Sequence, residues 1–297
     1  MTTFFVTRTG GSVVEAWSST RLPFEPTGAL REFRGELRGA VAQLSAGPTE
    51  AIHARYVSDV GGRFDVENVL LYNVGPSAFR RSATSEVVAE RSFGPVSPTP
   101  AGVGTAHHYY RYETMPIGTP WECWSVSSLL ASFGPVDLGS LAAASRPSRV
   151  WFAVRRSLVN MLEPDGIPMA FGLDLVLDAP ANLPINLATI AKPLIDGVVA
   201  AFHAHDDPAT LALVAGRVAA YLDVPLEEIC SLLSEDRAAV LGRRRLLWPW
   251  RQGVQWNPAD DLCAAFRIRV RRPVETGASH TLRLSGSLFE IRPTARL

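Results

Sequence analysis

The stretches "AIHARYVSD" (51–59) and "AFGLDLVLD" (170–178) alternate apolar with polar residues and end on an aspartate. Each follows a segment of helical spacing and precedes a turn and a second helical segment. Aligning Asp59 with Asp178 therefore brings both halves of the chain into one plan with a period of about 120 residues. Self-similarity at so long a period fits duplication of a small domain better than a solenoid, whose units are shorter. Alternation with period two turns one strand face toward a core and the other away from it, so helices must cover the apolar side. The expected fold is α/β in the broad sense, α+β: two similar small domains of mixed sheet with packed helices.

Local patterns fill in this frame. Residues 27–44 carry Leu30, Phe33, Leu37, Val41 and Leu44 at spacings of three and four, one apolar stripe on a surface helix. "AAASRPSR" (142–149) is the expected break, separating 1–145 from 146–297. Residues 208–242 read as a helical insertion in the second domain. Within it, "RVAAYLDVPLEEICSLL" has a helix-turn-helix rhythm, but Glu227 and Glu228 open its second helix where phosphates would have to sit, so helix packing is the expectation. Residues 92–120, rich in Pro, Gly and Thr, read as loop, a short strand "HHYYRYE", and loop. In "LCAAFRIRVRR" (262–272), Phe266, Ile268 and Val270 share one face while Arg267, Arg269 and Arg271 share the other, a half-buried strand with a cationic outer side.

Composition excludes several classes. With 47% apolar and 20% charged residues the chain is an ordinary globular one. Three scattered cysteines make neither a disulfide framework nor a zinc site. No stretch approaches a membrane span and the start lacks a secretory pattern, so a cytoplasmic protein is expected. The net charge of zero hides an asymmetry, because residues 240–297 hold 11 Arg against four acids. A basic face there could meet phosphate. Walker A, dinucleotide-fingerprint, H-E-x-x-H and G-x-S-x-G motifs are absent.

Three clusters remain as candidates for chemistry. In "RFDVEN", Asp65 and Glu67 are two hard oxygen ligands suited to one Mg²⁺, with Asn68 beside them; acids are also favoured as caps at a helix start. "HAHDDP" (203–208) has metal-ligand types but sits where a helix should end, so capping is the plainer reading. "KPLID" places Lys192, the one lysine beside 28 arginines, four residues before Asp196 on a helix, where the two can pair.

Together these residues resemble the RusA family of Holliday-junction resolvases. "DVEN" is similar to the family's acidic run, yet Leu71 and Gly75 stand where its lysine and helical aspartate belong. "KPLID" supplies that lysine and aspartate in the second half, where Asn186, Ala188 and Thr189 replace the acidic run. "QWNPADDLCAAFRIRVRR" resembles the closing segment, with Asp260 and Asp261 before a basic strand. The resemblance implies Mg²⁺ held by clustered acids, cutting of branched DNA, and a pairing of the halves as an internal pseudodimer. A composite site would then join Asp65 and Glu67 as metal ligands to Lys192, Asp196 and Asp261, with Arg267, Arg269 and Arg271 tracking the DNA backbone. The alternative expectation is a non-catalytic binding or assembly module on the same duplicated scaffold, its sites decayed.

Overall fold

The computed structural model describes residues 3–62, 64–80, 84–100, 104–161, 166–272 and 281–294. The fold is mixed α+β. A hairpin of β1 (Phe4–Thr9) and β2 (Val13–Ser18) leads into α1 (Ala29–Val41) and β3 (Glu50–Ser58). A π-helical turn (Asn68–Tyr72) and a 3-10 turn (Pro76–Phe79) then connect to β4 (Glu86–Phe93) and β5 (His108–Pro116). The chain continues through β6 (Trp124–Gly139), α2 (Leu141–Ala144), α3 (Pro147–Arg155), β7 (Leu158–Met161), β8 (Phe171–Asp178) and α4 (Leu187–Ala201). After β9 (Ala204–His205), helices α5 (Pro208–Leu222) and α6 (Leu226–Ser234) form the inserted helical segment. Three short strands follow, β10 (Arg243–Arg244), β11 (Leu247–Trp250) and β12 (Gly253–Trp256). A 3-10 turn (Asp260–Leu262) then enters β13 (Cys263–Arg271), and β14 (Leu282–Pro293) closes the fold.

Ten strands make one sheet in the order β1-β2-β5-β3-β4-β13-β8-β14-β6-β7. Read outward from its centre, β4-β3-β5-β2 matches β13-β8-β14-β6. In both runs the first pair is parallel and the next two are antiparallel. The two runs meet at the antiparallel β4 and β13, where Ala89 faces Phe266. Ala54 also pairs with Ala89, as Leu173 pairs with Phe266. The alignment of Asp59 with Asp178 makes Ala54 and Leu173 equivalent, so a pseudo-two-fold axis passes through the Ala89/Phe266 pair. The halves therefore share one sheet and one hydrophobic core, which runs from Phe33 and Leu37 of α1 to Leu194 and Val198 of α4. Among the described residues β6 pairs only with β14 and β7, so the chain changes sides of the sheet between residues 116 and 124, upstream of the expected break at 145/146.

The stripe on α1 buries Phe33, Leu37 and Val41, as its spacing requires. The outer face of the sheet departs from simple alternation, because its polar side is also covered. His53 is 2% exposed and Glu90 0%. They bond to each other at 2.8 Å, within a ladder of ion pairs that includes Arg111 with Glu15 and Glu113. Residues 117–123 cross this face as they pass from one half to the other. The amides of Gly118 and Cys123 donate to Glu86 and Glu90. Trp121 lies so close over Gly172 that a Cβ there would meet the indole at 2.6 Å.

In the insertion, α5 and α6 meet at Asp223 in the left-handed conformation. Glu228 pairs with Arg156 at 3.2 Å, which ties α6 to the end of α3. Arg155, 3% exposed, donates to the carbonyls of Ala201, Leu232 and Glu235 and so binds the insertion to the core. "HAHDDP" begins with a short strand rather than a bare helix end: β9 pairs parallel with β10. Its imidazoles hold backbone, His203 between the carbonyl of Gly242 and the amide of Ala259, and His205 under the amides of Leu246 and Leu247. Burial keeps His203 near a pKa of about 4, hence neutral. No helix among the described residues is long and apolar enough to cross a membrane.

Candidate functional site

Three backbone devices bring side chains from both halves to one place. Asp65 and Glu67 precede the π-helical turn, whose wide geometry shows in the 2.8 Å bond from the Asn73 amide to the Asn68 carbonyl. Lys192 and Asp196 lie one turn apart on α4, which Asn186 caps by accepting from the Ala188 amide at 3.1 Å. Asp260 opens the 3-10 turn before β13.

The Lys192 ammonium stands 3.1 Å from Glu67 Oε1 and 3.1 Å from Asp196 Oδ1. It is 3.5 Å from Asp260 Oδ2 and 3.7 Å from Asp65 Oδ2. Asn68 donates to Asp65 Oδ2 and fixes its orientation. Carboxylate oxygens of Asp65, Glu67 and Asp260 all lie within 4.8 Å of one another, close enough to share one cation. The Glu67 side chain is 1% exposed, and its Oε2 is buried with no hydrogen-bond partner among the described residues.

One ammonium faces four carboxyls, and the titration of the cluster reflects that excess. Burial pushes Glu67 up to about 8 against the opposing pull of Lys192. Burial, with Asp65 adding repulsion, pushes Asp260 up to about 7. Asp196 is likewise raised by burial. Burial alone would lower Lys192, but the carboxylates, Glu67 foremost, outweigh it and hold the ammonium well above its ordinary value. Chemically this is a cation-seeking pocket.

The structure brings Asp65, Glu67, Lys192 and Asp196 together and substitutes Asp260 for Asp261. In a 3-10 turn successive side chains point about 120° apart. The Asp260 carboxylate therefore faces Lys192, while Asp261 lines a separate cavity with Arg91, Phe93 and Trp124 and receives Arg91 on its carbonyl. The adjacent acids in "ADD" offered no signal for choosing between them.

The arginines of the basic strand are all engaged in ion pairs. Arg267 pairs with Glu86 at 3.4 Å and Asp174 at 3.3 Å, Arg269 with Glu86 at 2.6 Å, and Arg271 with Asp178 at 2.5 Å. These arginines occupy the sheet face opposite Phe266, Ile268 and Val270, away from α4 and the acid cluster. Each therefore has a carboxylate partner on β4 or β8, although the Arg271 side chain remains 65% exposed. His53, Glu113 and Glu122 on the same outer face also have ligand atoms near one another. Each is engaged, with Glu90, Arg111 and Arg55 respectively.

No described protein family matches the chain, and no curated protein matches it.

Proposed function

We propose that this protein is a divergent RusA-like nucleic-acid-processing enzyme, a Mg²⁺-dependent, structure-selective endodeoxyribonuclease with a single composite site. The observation that carries the reading is the meeting of Asp65 and Glu67 from one half with Lys192, Asp196 and Asp260 from the other, around a buried carboxylate oxygen that has no hydrogen-bond partner among the described residues. An orphaned Oε2 on Glu67 and three hard carboxylates are the donor set a divalent oxygen-seeking cation requires. Asp65, Glu67 and Asp260 would hold that cation. When bound, it supplies Lewis-acid polarisation of a phosphodiester and activation of water.

The chain's own groups do the rest. Asn68 orients Asp65. Asp196 holds the Lys192 ammonium at the mouth of the cluster, where it can meet a phosphate oxygen and offset charge developing there. Lys192, 29% exposed, is the member of the cluster most open to an incoming strand. Backbone held by Arg91, from Asp261 and Cys263, fixes the turn that aims Asp260.

The test is cleavage of a synthetic four-way DNA junction with Mg²⁺. Asp65→Asn is expected to abolish it, and equal cutting by the variant removes the assignment. A second reading, a non-catalytic assembly module, is favoured by one observation: the Lys192 ammonium by itself bridges the carboxylates of both halves, as a structural clamp would. Junction binding without Mg²⁺-dependent cutting by the parent protein selects that reading.

A further inference from the structure

Resting on the nuclease reading, we infer that the duplicated fold holds one working centre and one blank, so that the protein nicks a single strand per encounter instead of making paired cuts. The pseudo-two-fold axis through Ala89 and Phe266 generates a second location for every group in the acid cluster. Asp65 and Glu67 correspond to Asn186 and Ala188, while Lys192 and Asp196 correspond to Leu71 and Gly75. The counterpart of Asp260 follows from strand register. Phe171 pairs with Cys263 as Ile52 pairs with Val87, which makes Cys263 and Val87 equivalent and sets Thr84 opposite Asp260.

Three of those counterparts converge. Thr84, Asn186 and Ala188 line one cavity of 330 Å³, closed by Ile52 and Phe79 with Arg80 beside them. The fold has therefore kept the place and removed the chemistry. Every carboxylate of the working centre has a neutral counterpart, and an arginine lines the blank. Asn186 is committed elsewhere, its amide donating to the Pro76 carbonyl at 2.9 Å and its oxygen capping α4. Leu71, at the lysine's counterpart, is 1% exposed and belongs to the core. A divalent cation needs several oxygen donors around it, and an amide, a hydroxyl and a nearby guanidinium do not replace three carboxylates.

The consequence is stoichiometric. A two-fold protein with two intact centres can present both to symmetry-related strands within one complex. This chain presents one, so one phosphodiester is hydrolysed per complex: water adds to phosphorus, the P–O bond to the leaving oxygen breaks, and that oxygen takes up a proton. The second strand is left whole.

Two measurements on the full chain test this. Electron paramagnetic resonance titration with Mn²⁺ reads occupancy independently of activity. Binding at the acid cluster is expected to be lost in Glu67→Gln and unchanged in Thr84→Ala, and loss of a bound Mn²⁺ in Thr84→Ala overturns the blank. The second measurement uses a supercoiled plasmid with an extruded inverted repeat. Nicked circles are expected as the first product, with linear DNA following after a lag that shortens as enzyme concentration rises. Linear DNA formed without that intermediate overturns the inference. Absence of any cutting with Mn²⁺ binding intact removes the nuclease reading alone, and the one-centre assignment then stands on the titration.

Discussion

Replacing Lys192 by Met is the sharpest test of the cluster, because it removes the ammonium that contacts all four carboxyl groups while keeping most of the apolar stem of the side chain. At an effective dielectric constant of about 20, each contact between 3.1 and 3.7 Å is worth roughly 4.5–5.5 kcal/mol before desolvation. Desolvating the ammonium and the acids cancels most of that sum. Breaking a buried ion network by deleting one partner typically costs about 3–5 kcal/mol, and that loss is expected in urea unfolding at pH 8 with EDTA. The cost should shrink at pH 5, where Glu67 and Asp260, titrating at about 8 and about 7, are protonated and no longer repel one another. Mg²⁺ at about a hundred times its dissociation constant should return about 2.7 kcal/mol. A variant within about 1 kcal/mol of the parent at pH 8 would refute the network. Failure of Mg²⁺ to restore stability would refute the cation site.

Glu67→Gln tests the same pocket through pH. Its carboxyl rises from the ordinary 4.5 to about 8 by burial, so between those values the folded state holds a proton that the unfolded state has released. Stability of the metal-free protein must then fall as pH climbs through that window, and the variant should flatten the dependence in a melting-temperature series. Gly197→Ala would place a methyl 2.5 Å from Val150 Cβ and 2.8 Å from the Pro147 carbonyl, where α3 and α4 touch. Overpacking of that kind should cost about 1–3 kcal/mol in thermal unfolding. Arg155→Met should take the donor away from the buried Ala201 carbonyl and from the carbonyls of Leu232 and Glu235, costing about 2–4 kcal/mol, and expose α5 and α6 to limited proteolysis.

Much of the fold was legible from local pattern. The alternation at 51–59 and 170–178 became β3 and β8, and the stripe at 27–44 became α1. β6 was harder to see, because "WSVSSLLASFGPVDLG" carries polar residues and a Gly-Pro pair within a strand that pairs along its whole length with β14. The two faces of the basic strand were legible in its alternation, whereas its ion-pair partners Glu86, Asp174 and Asp178 lie far away in the chain.

Periodicity is a property of neighbours along the chain, so the sequence by itself determined the repeated helix-strand-turn-helix plan, the i, i+4 pairing of Lys192 with Asp196, and the acidic pair before a helical turn. Which charges meet across the molecule was decided only when β4 paired with β13, joining two half-sheets so that Asp65 and Glu67 of one half contact Lys192 of the other. The same step selected Asp260 over Asp261, since a 3-10 turn sends adjacent carboxylates in different directions. Coulomb interactions and desolvation act through space, and neither is set by distance along the chain.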